Sequence, residues 1–120
     1  MLDHIGIGVK DLAASKKFYT EALGAIGYSI KAEYPEHNVV GMGEGDRSDF
    51  WFSQDTMPGK AHLSFAAKTR AEVDAFYEAG IKAGGKDNGK PGIRETYSPT
   101  YYAAFVYDPD GNNVEVVCHA

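Results

Sequence analysis

Polar and apolar residues alternate from the start of the chain. Over Asp3 to Val9, Ile5, Ile7 and Val9 point one way while His4, Gly6 and Gly8 point the other, the two-residue period of a strand with one packed face. The period then lengthens. Leu12, Phe18, Tyr19, Ala22, Leu23 and Ile26 fall mostly on one stripe of a helix that Asp11 can cap and that ends near Gly24 or Gly27. Three strands are predicted to follow, near residues 28 to 34, 37 to 43 and 48 to 54, with Gly43-Glu44-Gly45-Asp46 turning between the last two.

The whole plan is then written again. His4 to Gly27 returns as His62 to Gly85 at a constant offset of 58, pairing His4 with His62, Lys10 with Lys68, Phe18 with Phe76 and Tyr19 with Tyr77. Ala61 to Ala67 alternates, with His62 and Ser64 on one face and Leu63 and Phe65 on the other. Thr69-Arg70-Ala71-Glu72 has capping-box spacing for a second helix, whose buried stripe is Val73, Phe76, Tyr77 and Ile81 and which Gly84-Gly85 ends. Strands are expected near 93 to 97, 102 to 107 and 112 to 118, the last two joined by Asp108-Pro109-Asp110-Gly111. From Val39 onward the offset is 64, so the second copy carries a six-residue insertion in or around Asn88 to Tyr101. The same register makes Trp51 the repeat mate of Glu115.

A repeat of this length uses one supersecondary unit twice. Each unit reads strand, helix, strand, strand, strand, and neither could bury its helix-facing sheet surface well alone. The expected fold is therefore α+β: a single domain over 1–120, with modules at 1–57 and 58–120. The two βαβββ modules would form a curved mixed sheet with helices outside and a concave cleft that His4 and His62 face. Glu115 shares that face with Asn113 and Val117, whereas Val114 and Val116 take the helix side.

The remaining chemistry narrows the class of partner. A formal charge of −5 without a basic cluster argues against nucleic acid. No stretch approaches the roughly 20 apolar residues of a membrane span, and the first ten residues read as a strand rather than a signal peptide. Cys118 is the only cysteine, in keeping with a reducing cytoplasm, and its parity makes it a small buried group. His37 and His119 read as surface residues; four strand residues, about 13 Å, separate His119 from Glu115. Trp51 is sheet packing or an aromatic wall for a substrate, and Ser64 shares the cleft face. Tyr97, Ser98, Tyr101 and Tyr102, in or beside the insertion, are candidates for an acid, a base or a donor to a bound oxygen. Arg94 and Lys90 could hold an anionic group.

Asp3-His4-Ile5-Gly6-Ile7-Gly8-Val9, Asp11-Leu12, Phe18-Tyr19, His62 and Asp108-Pro109-Asp110-Gly111-Asn112 with Glu115 together resemble the vicinal oxygen chelate superfamily over the whole chain. That superfamily includes glyoxalase I, methylmalonyl-CoA epimerase, extradiol dioxygenases, fosfomycin-resistance thiol transferases and bleomycin-binding proteins. The resemblance implies one divalent ion (Fe, Mn, Zn, Ni or Co) held by His4, His62 and Glu115 and acting as a Lewis acid on a small oxygen-chelating substrate. It also implies a homodimer, with the cleft formed within one chain or across a swapped pair. A four-ligand site of the glyoxalase I or epimerase kind needs Glu or Gln where this chain has Trp51. The departure favours dioxygenase-like or thiol-transferase-like members, and Gln54, on the other face, does not replace the missing ligand. The alternative is a metal-free protein that sequesters a drug or metabolite.

Overall fold

The computed structural model describes residues 2–120. The first module runs β1 (Ile5–Val9), α1 (Leu12–Gly24), β2 (Ser29–Tyr34), β3 (Val39–Gly43) and β4 (Phe50–Gln54). The second runs β5 (His62–Ala66), α2 (Arg70–Lys82), β6 (Lys86–Ile93), β7 (Tyr102–Tyr107) and β8 (Asn113–Cys118). Each module forms its own four-stranded mixed sheet, in the orders β1-β4-β3-β2 and β5-β8-β7-β6. The ladder does not pass from one sheet to the other.

Both helices start where the sequence supplies a cap. Asp11 accepts from the Ala14 N–H at 3.1 Å, and Thr69 with Glu72 closes a complete capping box. The registers of β1, β3 and β4 against those of β5, β7 and β8 bear out the repeat alignment. Gly6 lies opposite Trp51 in the parallel β1–β4 pair, as Ser64 lies opposite Glu115 in β5–β8. Gly41 pairs with Trp51 as Phe105 pairs with Glu115.

Two segments differ from expectation. The strand expected at 93 to 97 lies instead at Lys86–Ile93, partly within the segment expected to hold the insertion and despite its glycines and Pro91. An edge strand tolerates them because one side of its backbone needs no partner. The sequence irregularity reappears as two register shifts against β7, between Asp87 and Gly89 and between Gly89 and Gly92. The strand expected from residue 37 begins at Val39, because Pro35–His37 makes a 3₁₀ turn that Asn38 ends in the left-handed region, φ 54°.

The core sits between the sheets and the helices and runs through both modules. Tyr19 packs edge-on to Phe50, with centroids 4.9 Å apart, and Phe50 does the same to Phe65 at 5.4 Å. The first helix packs closely on the turn after the second at Gly85, where an added Cβ would fall 2.6 Å from a Phe18 ring carbon and 2.8 Å from the Gly80 carbonyl oxygen.

A polar hub fixes how the modules meet. Asp108 is buried, and its Oδ2 accepts from the Tyr19 hydroxyl at 2.5 Å and from Asn112 Nδ2 at 2.8 Å. Its Oδ1 accepts from the backbone N–H groups of Asp110 and Asn112, and Asn112 Oδ1 in turn accepts from Ala61 N–H just before β5. Burial, and then the Asp108 charge, hold the Tyr19 hydroxyl in its neutral form far into the alkaline range. Tyr19→Phe removes a hydrogen bond to a buried charge, so the expected loss is about 1.5–3 kcal/mol. It should be read as a lower urea midpoint with an unchanged slope.

Candidate functional site

The face of the second sheet turned away from the helices holds a cleft of about 450 Å³, lined by His62, Tyr97, Tyr101, Phe105, Asn113 and Glu115. Strand alternation puts Asn113 and Glu115 on that face, and the β7 register puts Phe105 beside Glu115. Sequence parity alone would leave Glu115 open to water, yet it is only 3% exposed. The residue 94–101 loop accounts for this. It closes through the Arg94 N–H to the Tyr101 carbonyl at 2.8 Å, and it sets the Tyr101 hydroxyl to donate to Glu115 Oε2.

The other carboxylate oxygen faces His62, with Nε2 3.2 Å from Glu115 Oε1. His62 Nδ1 lies 3.0 Å from the Asn113 carbonyl oxygen, which can only accept, so Nδ1 carries the proton. In a neutral ring Nε2 is then a lone pair aimed at a carboxylate oxygen. Two acceptors in this position call for a cation: either a proton on Nε2 or a metal ion that both atoms can ligate. An imidazole nitrogen beside a buried carboxylate is a donor set that suits a divalent transition metal. The residues present therefore fit the expected ion. The hydrogen bond to Glu115, with burial second, pushes the Tyr101 hydroxyl up to about 12. At neutral pH Tyr101 is a donor and not a base.

His4 lies elsewhere on the surface. It shares a small cleft with Leu2, Asp3, Tyr28, Asp49, Ser64 and Phe65. Its Nδ1 is 2.8 Å from Asp3 Oδ1, and Arg47 Nη2 is 2.8 Å from Asp3 Oδ2. These bonds, that from His4 first, hold the Asp3 carboxyl below its ordinary range. Among the described residues, no group of three or more His, Cys, Asp or Glu side chains converges within one chain. His62 and Glu115 are together, and His4 is not with them.

The other candidates divide in the same way. Tyr97 packs edge-on to Tyr101, with centroids 5.0 Å apart, and both reach the cleft. The Ser98 N–H donates to the Arg94 carbonyl within the loop. Tyr102 is engaged with the second helix: its hydroxyl donates to Asp74 at 2.6 Å and Arg70 lies over its ring. Arg94 lies over Phe105 at 5.3 Å, two of its nitrogens donating to the carbonyls of Gly92 and Lys90. Phe105 and Asn113 were not singled out from the sequence, although the alignment already made Phe105 the mate of Gly41 and gave Asn113 the parity of Glu115.

In the first module Trp51 occupies the position equivalent to Glu115. Its ring stacks on Tyr34, with centroids 6.3 Å apart at 11°, and covers Gly41. The aromatic surface is therefore a pair, and Tyr34 is its unforeseen member.

These observations converge on one class of protein, a paired βαβββ scaffold with a histidine–carboxylate cleft. The family model of the Glyoxalase/Bleomycin resistance protein/Dioxygenase superfamily matches residues 1–116, and the chain belongs to that superfamily. A glyoxalase/bleomycin resistance protein from Albidiferax ferrireducens T118 is 30% identical, with 98% of each chain covered and a TM-score of 0.85. A glyoxalase/bleomycin resistance protein/dioxygenase family enzyme from Burkholderia phytofirmans PsJN, 19% identical with 98% of each chain covered and a TM-score of 0.73, shares the fold. So does a glyoxalase I variant from Zea mays, 22% identical with a TM-score of 0.68; the match covers 97% of this chain and 43% of the maize chain. No curated protein matches the chain.

The indole's seat gives a direct check on this geometry. A Cβ on Gly41 would lie 2.7 Å from Trp51 Cζ3 and 2.8 Å from Ser48 Oγ, whereas one on Gly6 would lie 3.8 Å from Trp51. Gly41→Ala should displace the ring and cost about 1–3 kcal/mol. Gly6→Ala should leave the ring in place. Trp51 is the only tryptophan, so its emission reports the difference.

Proposed function

We propose that this chain is a divalent-metal-dependent enzyme of its superfamily, acting on a small substrate that binds through one or two oxygens. Its ligands are His62 and Glu115 of one subunit with His4 of the partner subunit in a homodimer. The observation that carries this reading is the meeting of His62 Nε2 with Glu115 Oε1, two acceptors whose geometry asks for a cation. The separation of His4 from that pair within the chain supports assigning it to the partner's site. The bound ion would supply Lewis acidity to a substrate oxygen.

The protein's own groups do the rest. Tyr101 orients Glu115 and keeps a hydroxyl proton at the cleft, Phe105 forms an apolar wall, and Tyr97 stands at its mouth. Arg94 retains N–H groups beyond the two spent on carbonyls, so it can meet an anionic substituent. Trp51 and Tyr34 offer a flat surface in place of a fourth ligand, and this favours dioxygenase-like or thiol-transferase-like chemistry over a four-ligand reaction. The compartment is a reducing cytoplasm, in keeping with Cys118 as a lone buried thiol.

The same aromatic pair supports a second reading from another class: a metal-free protein that sequesters a planar ligand, with His62 protonated against Glu115. Metal content separates the two. Protein purified without chelator or tag-borne metal should hold close to one ion per chain, and His62→Ala, Glu115→Gln and His4→Ala should each abolish retention. Trp51→Phe should retain the ion and weaken an aromatic ligand by roughly 1 kcal/mol. Mixing His4→Ala and Glu115→Gln homodimers under exchange conditions should restore one intact site in each mixed dimer. Light scattering at micromolar concentration should give a dimer. A protein that takes up no Mn, Fe, Co, Ni or Zn, judged by elemental analysis, would belong to the second reading.

A further inference from the structure

We propose that Asp3 is a positioning residue for His4, fixing the imidazole with Nε2 free to ligate, and that Arg47 holds Asp3 in that role. This rests on the metal reading above and deepens it by naming what prepares the remote ligand. Asp3 uses both carboxylate oxygens, Oδ1 for His4 Nδ1 and Oδ2 for Arg47 Nη2, each at 2.8 Å. A carboxylate engaged in this way only accepts, so the proton of a neutral His4 resides on Nδ1 and the Nε2 lone pair points outward.

His62 reaches the same state by another route, with Nδ1 on the Asn113 carbonyl oxygen. The two histidines are repeat mates, and in both Nδ1 meets an oxygen acceptor, which leaves Nε2 as the lone pair of a neutral ring. Their supports are not mates. Asp3 aligns with Ala61, which has no acceptor side chain, and Arg47 aligns with Gly111. The Arg47–Asp3–His4 chain is therefore particular to the first copy and not shared by the repeat. Its location is informative as well. All three side chains are more than half exposed. Ion pairs so exposed contribute little to folding, so the chain has little to do for the isolated fold. A carboxylate behind a ligating histidine fixes the tautomer and raises the basicity of the ligand nitrogen, and its loss typically weakens metal binding 10–100-fold.

The test uses cobalt(II) and the full-length chain. Asp3→Ala should weaken cobalt binding about 10–100-fold, and Asp3→Asn, which keeps an acceptor but no charge, should recover part of it. Arg47→Ala should shift affinity in the same direction by less. In metal-free protein, histidine nitrogen NMR should show His4 losing its Nδ1–H preference in Asp3→Ala while His62 keeps its own, with the thermal midpoint unchanged. If His4→Ala abolishes cobalt binding but Asp3→Ala leaves both affinity and tautomer as in the wild type, the positioning role is overturned and the metal reading stands. If the wild type binds no cobalt, the metal reading is overturned, and the tautomer measurement still decides whether Asp3 governs His4.

Discussion

The buried carboxylate of Asp108 determines how the two modules sit against each other, and therefore which functional groups can meet. It accepts four hydrogen bonds, three from its own turn and one from Tyr19 on the helix of the other module. A buried charge this well satisfied is held in place from every side, whereas losing any one donor leaves part of it unsolvated. The hub extends through Asn112 to the approach to β5 and through Asp110, which accepts from the Lys10 N–H at the end of β1. The aromatic chain from Tyr19 through Phe50 to Phe65 adds apolar contact along the same seam. Pairing of β5 with β8 gives His62 and Glu115 one cleft within the second module, and the modules locked in this way leave His4 with Asp3 and Arg47.

The cleft illustrates how a loop changes the physics of a strand residue. Glu115 lies on the side of β8 away from the helices, a face that strand alternation alone would leave to solvent. The inserted residues of the second copy return over it as the 94–101 loop, and Tyr101 covers the carboxylate while donating to it. Burial and the Tyr101 hydrogen bond hold this strand glutamate in one direction, with its free oxygen 3.2 Å from His62 Nε2. The first copy lacks the insertion, and its equivalent position carries an indole that needs no such cover.

Much of this was legible in the sequence because it depends on local periodicity. The capped helices, the Asp108-Pro109-Asp110-Gly111 turn and the pairing of Trp51 with Glu115 all follow from alternation, capping spacing and the two offsets, and the strand registers reproduce them. What was not legible depends on a neighbour distant in sequence or on backbone irregularity. Strand β6 was obscured because its glycines and Pro91 are tolerated only at an edge, and edge position is a property of the sheet. The turn of Tyr102 toward Asp74 was hidden because its partner lies on the second helix, distant in sequence, while Tyr101 belongs to the loop before β7. Asp3 entered the sequence reading only as part of the family resemblance, because its type and spacing do not otherwise distinguish it from a solvated acid; its contacts with His4 and Arg47 emerge only in the fold.

The row that runs across each sheet makes the substitution at Trp51 intelligible. In the second module it reads Ser64, Glu115, Phe105, a medium side chain beside a large one. In the first it reads Gly6, Trp51, Gly41, a large side chain between two that have none. The indole extends over Gly41 into space that a single methyl group would fill, and its outer face is met by Tyr34. Size has been exchanged between neighbouring strands, so Trp51 is accommodated by its surroundings and is not merely a lost ligand. Restoring a carboxylate there would leave the Gly41 surface bare and Tyr34 unstacked. The first module is thus built around an aromatic pair, whereas the histidine–carboxylate pair lies on the second module and His4 stands beside Asp3.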